Sequence, residues 1–416
     1  MKKISVVVMT AIYMSLCLSG CQEIKLTPPD IKTIPLPQKE WTFLFYDDAD
    51  FAGAYDPFND FSRFVSSGHD INYVVLRDRI DSKAAYYQIG NNHEQKLLQQ
   101  AGEVNMSAGQ TLEDFLAYAK HYFPAKRYIV AFYDHGGGWQ GACFDVTNDT
   151  SWNIDALTPR EIDDAFSNCG GVDLVLFTAP CLMGSLEAAY QARNSAQYYI
   201  GSEDLSGFVY WYNMLDRLDA FIKSNPLVSD GELSRETISL LYENRNNFPG
   251  GGEELTMGVV QTSRVGDFVS SLTLVTEYYR GHLDKFREIK QLNFKRYDTF
   301  ADVYDLLTVM QAYESDTLAR NLIANAMNCF RGCVIAECHG NLNEHSFGLN
   351  IFFPTQTWQI QGGTQLYYPP GGVGLDFKND CSWDDLVYSC LSTTPGKTGL
   401  LARIFLLDGF RPGVRD

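Results

Sequence analysis

Residues 128–141 read YIVAFYDHGGGWQG, and residues 172–190 read VDLVLFTAPCLMGSLEAAY. In the first, the apolar run Tyr128–Tyr133 leads into Asp134, His135 and three glycines. In the second, Val172–Phe177 leads into Cys181 and then a helical pattern. In a sheet enclosed by helices, side chains just past the carboxyl ends of neighbouring strands converge on one rim. A thiol and an imidazole delivered to that rim form a nucleophile–base pair.

The surrounding chain supports such a sheet. Trp41–Tyr46 (WTFLFY) and Asn72–Leu76 are short apolar runs of the kind that become buried strands, and Ala84–Ile89 is a third. Thr111–His121 places Leu112, Phe115, Leu116 and Ala119 on one helical face. Thr158 caps a helix to Phe166, with Pro159 in the first turn and Glu161 three residues on. After the strand to Phe177 come a helix over Leu182–Arg193 and a strand over Gln197–Gly201. Alternating strands and helices predict an α/β fold with a mainly parallel sheet and helices on both faces. Further on, Leu255–Gln261 reads as a strand. Arg264–Tyr279, Phe300–Tyr313 and Asp316–Phe330 read as helices. Cys333–Glu337 and Gly348–Phe353 read as a closing pair of strands.

At 416 residues, 45% hydrophobic and 20% charged, the composition is that of a globular protein. A formal net charge of −18 repels polyanions, so no nucleic-acid partner is expected. The first residues read as an export signal: Lys2 and Lys3 form a basic head, and Ile4 to Leu18 is mainly apolar. Leu18-Ser19-Gly20-Cys21 resembles a bacterial lipobox, which makes Cys21 the lipidated residue and the membrane a partner through a lipid anchor. The division expected is a signal at 1–20, a proline-bearing tether at 21–40, a catalytic body at 41–360 and an extension at 361–416 packing on or following it.

A thiol attacks a carbonyl as thiolate, so it needs a base close by. His135 supplies that role and then protonates the leaving amine. Gly136 lacks a Cβ and lets its N–H approach a developing oxyanion. The Cys181 N–H is placed at the start of the following helix, where unpaired amides favour negative charge. Pro180 has no N–H and stiffens the approach to the thiol. Asp134 reads as structural.

His-Gly-Gly-Gly-Trp after one strand and Cys-Leu-Met-Gly-x-x-Glu-x-x-Tyr after the next resemble the clostripain family of cysteine peptidases. Tyr199-Ile200-Gly201-Ser202-Glu203-Asp204 is similar to that family's strand ending in Ser-Glu-Glu. Gly348-Leu349-Asn350-Ile351-Phe352-Phe353-Pro354 is similar to its Gly-Leu-Ser-Ile-Tyr-Phe-Pro. The resemblance implies a caspase-like fold and cleavage of proteins or peptides through a His135–Cys181 dyad. One departure concerns specificity. The family carries Asp two residues before the nucleophile, as part of an acidic pocket for Arg or Lys. Here that position is Ala179, and a neutral wall forfeits the charge-assisted bond. Glu203 and Asp204 are the acids placed to compensate. The segment 136–159 also lacks Lys and Arg, where relatives self-cleave at a basic residue.

No cofactor is required by this chemistry, and no metal site is assigned. Calcium, which some clostripain relatives need, is left open at the acidic loop of Asp145, Asp149 and Asp155, although the spacing is not that of an EF-hand and a solvated loop is the simpler account. Cys329, Cys333, Cys338 and His339 lack the paired knuckles of a zinc site and read as buried thiols or disulfides. The alternatives to an active peptidase are an inactive peptide-binding surface protein and a latent precursor.

Overall fold

The computed structural model describes residues 36–50, 56–145, 156–207, 209–212, 214–248, 252–357 and 374–391. The export signal, Cys21 and most of the tether lie outside these residues. Among those described, no helix is long and apolar enough to cross a membrane.

A nine-stranded sheet forms the centre, in the order β11-β8-β7-β6-β5-β1-β2-β3-β4. Its strands are β1 (Lys39–Ala49), β2 (Ile71–Arg79), β3 (Ser82–Ile89), β4 (Gln95–Gly102), β5 (Ala125–Tyr133), β6 (Val172–Phe177), β7 (Ala196–Gly201), β8 (Thr256–Gln261) and β11 (Val334–His339). β2, β1, β5, β6 and β7 run parallel. β3 and β4 extend one edge and β8 and β11 the other, all antiparallel. This is the mainly parallel α/β sheet expected. The central strands are mainly apolar along their buried middles because both faces are covered.

Among the described residues, the α-helices of five residues or more are α1 (Pro57–Phe64), α2 (Gly109–Tyr122), α3 (Pro159–Asn168), α4 (Leu186–Gln191), α5 (Leu215–Ser224), α6 (Asp230–Asn244), α7 (Val265–Arg280), α8 (Leu283–Ile289), α9 (Val303–Tyr313), α10 (Thr317–Cys333), α11 (Asp376–Asp380) and α12 (Trp383–Tyr388). On one face, Phe43, Phe45, Tyr73 and Ile129 pack with Phe61 of α1, Leu218 of α5 and Leu241 of α6. On the other, Tyr46 meets Phe115 of α2 and Phe132 meets Phe166 of α3, with ring centroids 6.1 and 6.5 Å apart. The Thr158 capping box opens α3 as expected, its side chain accepting from the Glu161 N–H.

Three local expectations change. The strands at the end of the body do not pair with each other. β11 closes the large sheet against β8, whereas β12 (Asn350–Phe352) joins a three-stranded sheet with β10 (Phe300–Asp302) and β9 (Arg296–Tyr297). The helix over Phe300–Tyr313 begins only at Val303, because Phe300–Asp302 is strand and the Asp302 carboxylate caps the helix. The helix after Cys181 is shorter than its periodicity suggests: Leu182 stands at φ +63°, and α4 starts at Leu186. The part of the C-terminal extension described, Gly374 onward, packs on the body. Trp383 donates its indole N–H to the Phe352 carbonyl at 2.9 Å, and Asp376 pairs with Arg160 and Arg193.

Candidate active site

β5 and β6 are neighbours, in register from Ile129↔Leu174 to Phe132↔Phe177. His135 therefore leaves the rim two residues past β5, and Cys181 four residues past β6. Thr178 ties the two exits together, its N–H and hydroxyl both donating to the Phe132 carbonyl at 3.1 and 2.6 Å.

The His135 segment is a closed loop. The Cys143 N–H donates to the His135 carbonyl at 3.2 Å, and Gly137 N–H to the Gly141 carbonyl at 2.8 Å. Gly138 takes φ +65°, and a Cβ there would lie 2.9 Å from the Phe300 ring. This folds Trp139 into a small apolar cluster with Cys181, Leu182, Phe300, Phe352 and Leu375. Asp134 is buried and accepts from the Phe144 N–H, so it braces the loop. Burial holds its carboxyl well above the usual range.

The two loops touch at Gly136. A Cβ on this residue would stand 2.4 Å from the Cys181 carbonyl oxygen, 2.8 Å from the Pro180 Cβ and 2.9 Å from the Cys181 nitrogen. Only glycine admits such contact. His135 is half-buried and Cys181 is 9% exposed. The structure thus brings His135, Gly136, Ala179 and Cys181 to one place on the rim.

The clostripain family profile matches residues 54–390 of this chain. The chain belongs to the clostripain family. Clostripain from Hathewaya histolytica is 26% identical over 331 residues, an alignment covering 67% of this chain and 61% of that protein. The chain thus spans less than two thirds of that relative's length. Two solved structures share the fold. A secreted cysteine protease from Bacteroides thetaiotaomicron, bound to an irreversible peptide inhibitor, superposes with a TM-score of 0.57 at 19% identity, over 83% of this chain and 99% of that one. An inactive zymogen protease from Parabacteroides distasonis gives 0.59 at 15% identity, over 84% and 99%. The caspase-like architecture expected from the sequence is therefore present.

The family motifs brace the cysteine from behind. The chain after β7 wraps the thiol. Ser206 N–H donates to the Cys181 Sγ at 3.2 Å, and Sγ lies 3.6 Å from the Ser206 carbonyl oxygen. Leu182 N–H donates to the Asp204 carbonyl at 3.0 Å. The Asn350 side chain donates to the Leu182 and Glu203 carbonyls at 3.3 and 2.8 Å.

The helix-terminus setting expected for the Cys181 amide is absent, since α4 begins five residues later. The acids proposed to compensate for Ala179 are also committed elsewhere. Glu203 is 4% exposed, accepts from the Gly348 N–H, and shares a hydrogen bond with the Asp302 carboxyl. Burial raises both groups, Asp302 to about 6. Asp204 pairs with Lys295 at 3.3 Å, and Lys295 also donates to Asn343. Burial pushes Asp204 up, against the pull of Lys295.

Sequence reasoning did not single out Ser206, Lys295 or Asn350. Ser206 acts through its main chain, which leaves no side-chain signature. Lys295 is one of many surface-type residues. Asn350 was in view, inside the GLNIFFP stretch, but read as strand. Asp149 and Asp155 lie outside the described residues, and Asp145 accepts from the Met106 N–H at 2.8 Å. Among the described residues no two cysteines are joined in a disulfide. Cys329 and Cys333 sit on α10 and Cys338 on β11, and they form no cluster able to hold a metal ion.

Proposed function

We propose that this chain is a cysteine endopeptidase, exported and held to a membrane by a lipid on Cys21, that cleaves proteins or peptides with Cys181 as nucleophile and His135 as general base and acid. The observation that carries this reading is the fit of Gly136 against Cys181, which holds the imidazole and thiol loops together on one rim. The Cys181 sulfur bonds to the substrate carbonyl carbon, the C=O electron pair moves to oxygen, and the thiol proton passes to His135. Collapse breaks the C–N bond, and His135 returns the proton to the leaving amine. Water then attacks the thioester, His135 takes its proton, and cleavage of the S–C bond restores the thiol. The amides of Gly136 and Cys181 stabilise the oxyanion.

Selection for Arg or Lys next to the cleaved bond finds little support. Ala179 is neutral, Glu203 faces inward, and Asp204 already carries Lys295. A preference for uncharged residues follows from this arrangement.

One observation favours a latent second reading. The Ser206 main chain covers the Cys181 sulfur with two contacts, leaving the residue 9% exposed. In that reading the segment after Asp204 moves aside before a substrate enters.

Labelling with a set of peptidyl acyloxymethyl ketones tests the proposal. Capture at Cys181 that disappears in His135→Ala is expected, with turnover falling by about 10²–10⁴-fold or more in either dyad variant. Absence of capture by every member, before and after limited proteolysis, sinks the peptidase reading. A parent protein carrying no lipid at Cys21 removes the anchor.

A further inference from the structure

The side of the rim that carries Ala179 holds polar groups that the dyad does not use. Arg77 of β2, Asp47 of β1 and Tyr133 of β5 stand in one parallel register. Side chains in register on neighbouring parallel strands point the same way, about 4.8 Å from strand to strand. The three therefore form a row at the carboxyl ends of the strands, and Tyr133 is two residues before His135. Tyr133 belongs to the apolar cluster under α1, α5 and α6, and so do Ala179 and Trp211. Tyr210, beside Trp211 in the short helical turn Val209–Tyr212, packs half-buried against that cluster. Burial raises the Tyr210 hydroxyl, and the charges of Glu254, Cys181 and Asp204 add to it, which sets this turn close to the nucleophile.

Asp47 is fully buried, and neither of its carboxylate oxygens has a hydrogen-bond donor among the described residues. Arg77 Nε, 3.8 Å away, has no hydrogen-bond acceptor among them. The guanidinium instead pairs with Asp56 at 2.7 Å and lies over the Phe58 ring at 4.9 Å. The Trp211 indole N–H is buried too, again with no acceptor among the described residues. Buried polar groups in native proteins are met by partners, and an unmet one costs free energy. Charge does not choose the partner here. Asp47 and Asp56 are balanced by Arg77 and Arg79, and Asp81, which also takes Arg79, is exposed to water. Burial lifts the Asp47 carboxyl to about 8, against the pull of Arg77. An uncharged group that carries a donor and an acceptor together satisfies both the oxygens and the indole N–H.

We propose that the cleft beside Ala179 takes a carboxamide side chain, glutamine or asparagine, on the acyl side of the cleaved bond, with Asp47 accepting from its nitrogen and the Trp211 indole donating to its oxygen. This deepens the peptidase reading and rests on it. The rings of Tyr133 and Trp211 offer apolar surface to the methylene stem. Asp47 takes over the selecting role that Ala179 has lost, while Arg77 cancels the charge that would favour Lys or Arg. The side chain reaches these groups as the segment that lays Ser206 over the Cys181 sulfur shifts aside.

Peptidyl acyloxymethyl ketones that differ only at that residue test the pocket on the full chain. Rates of capture at Cys181 are compared for glutamine, asparagine, norleucine, lysine and glutamate. One of the two carboxamides is expected to lead the other three by about tenfold or more, the value of one buried hydrogen bond, and which of them leads reports the depth of the pocket. The methyl ketone isostere of the favoured residue keeps its shape and carbonyl but has no N–H₂, and is expected to lose about tenfold. In Asp47→Leu the ratio of carboxamide to norleucine capture is expected to fall to about one. Should that variant fail to fold, the isostere comparison in the parent decides. Norleucine, lysine or glutamate captured as fast as both carboxamides, an isostere equal to its amide, or a folded variant with the parental ratio overturns the proposal and leaves the peptidase standing. No capture by any probe, before and after limited proteolysis, removes both.

Discussion

Gly136 abuts Cys181 so closely that a Cβ on the glycine would lie 2.4 Å from the cysteine carbonyl oxygen. Gly136→Ala must therefore push the Pro180–Cys181 turn away from the His135 loop. A shift of about 1 Å between reacting groups costs on the order of 10² in rate. We expect turnover to fall by about that factor while the far-UV circular dichroism stays that of the parent. An alanine variant with parental turnover would show that the contact does not set the geometry.

Asp204 is neutralised by Lys295 at 3.3 Å. Lys295→Met removes the cation and leaves a carboxylate near the nucleophile's turn. Selection of Arg or Lys over uncharged residues next to the cleaved bond is expected to rise about tenfold, the value of one charge-assisted bond. Cleavage profiles of parent and variant on one peptide library measure this. Identical profiles would place Asp204 outside the substrate's reach.

Glu203 and Asp302 are two buried carboxyls joined by a hydrogen bond, both titrating above their unfolded values. A raised folded value gives stability that is complete below the unfolded pKa and is lost as pH rises through the folded one. For Asp302 that window runs from 3.8 to about 6. Glu203→Gln keeps a neutral donor against Asp302 and an acceptor for the Gly348 N–H. The variant should therefore gain in stability on the parent as pH rises from 5 to 8. Melting curves at both pH values provide the check, and a difference independent of pH argues against a shared proton.

Asn350 holds the Leu182 and Glu203 carbonyls from below. Asn350→Ala leaves buried acceptors unmet, at a cost of about 1–3 kcal/mol. Because Leu182 stands at φ +63°, an unfavourable angle for a side chain with a Cβ, the turn relaxes when its brace is gone. Turnover is expected to drop about tenfold or more, with Asn350→Asp restoring little because it lacks the N–H₂. Retention of full activity in the alanine variant would relegate this clamp to stability alone.

The parallel centre of the fold was legible because Trp41–Tyr46, Tyr128–Tyr133 and Val172–Phe177 are runs dominated by apolar residues, the mark of strands covered on both faces. β4 was not legible. Its sequence QKLLQQAG is polar because it lies at the sheet edge, with its first residues exposed. The helix after Cys181 was over-read, since Leu182 and Met183 are apolar to fill the site cluster and core rather than a helical face. His135 and Cys181 were found because each follows a strand directly. The commitments of Glu203 and Asp204 were hidden, their partners Asp302 and Lys295 being about a hundred or so residues away.

The brace beneath the reactive turn comes from residue 350, and the imidazole from residue 135. A polypeptide emerging from the ribosome carries the Cys181 sulfur long before it carries the asparagine that shapes its turn. The turn around Cys181 is therefore fully braced only once the chain has been made as far as residue 350.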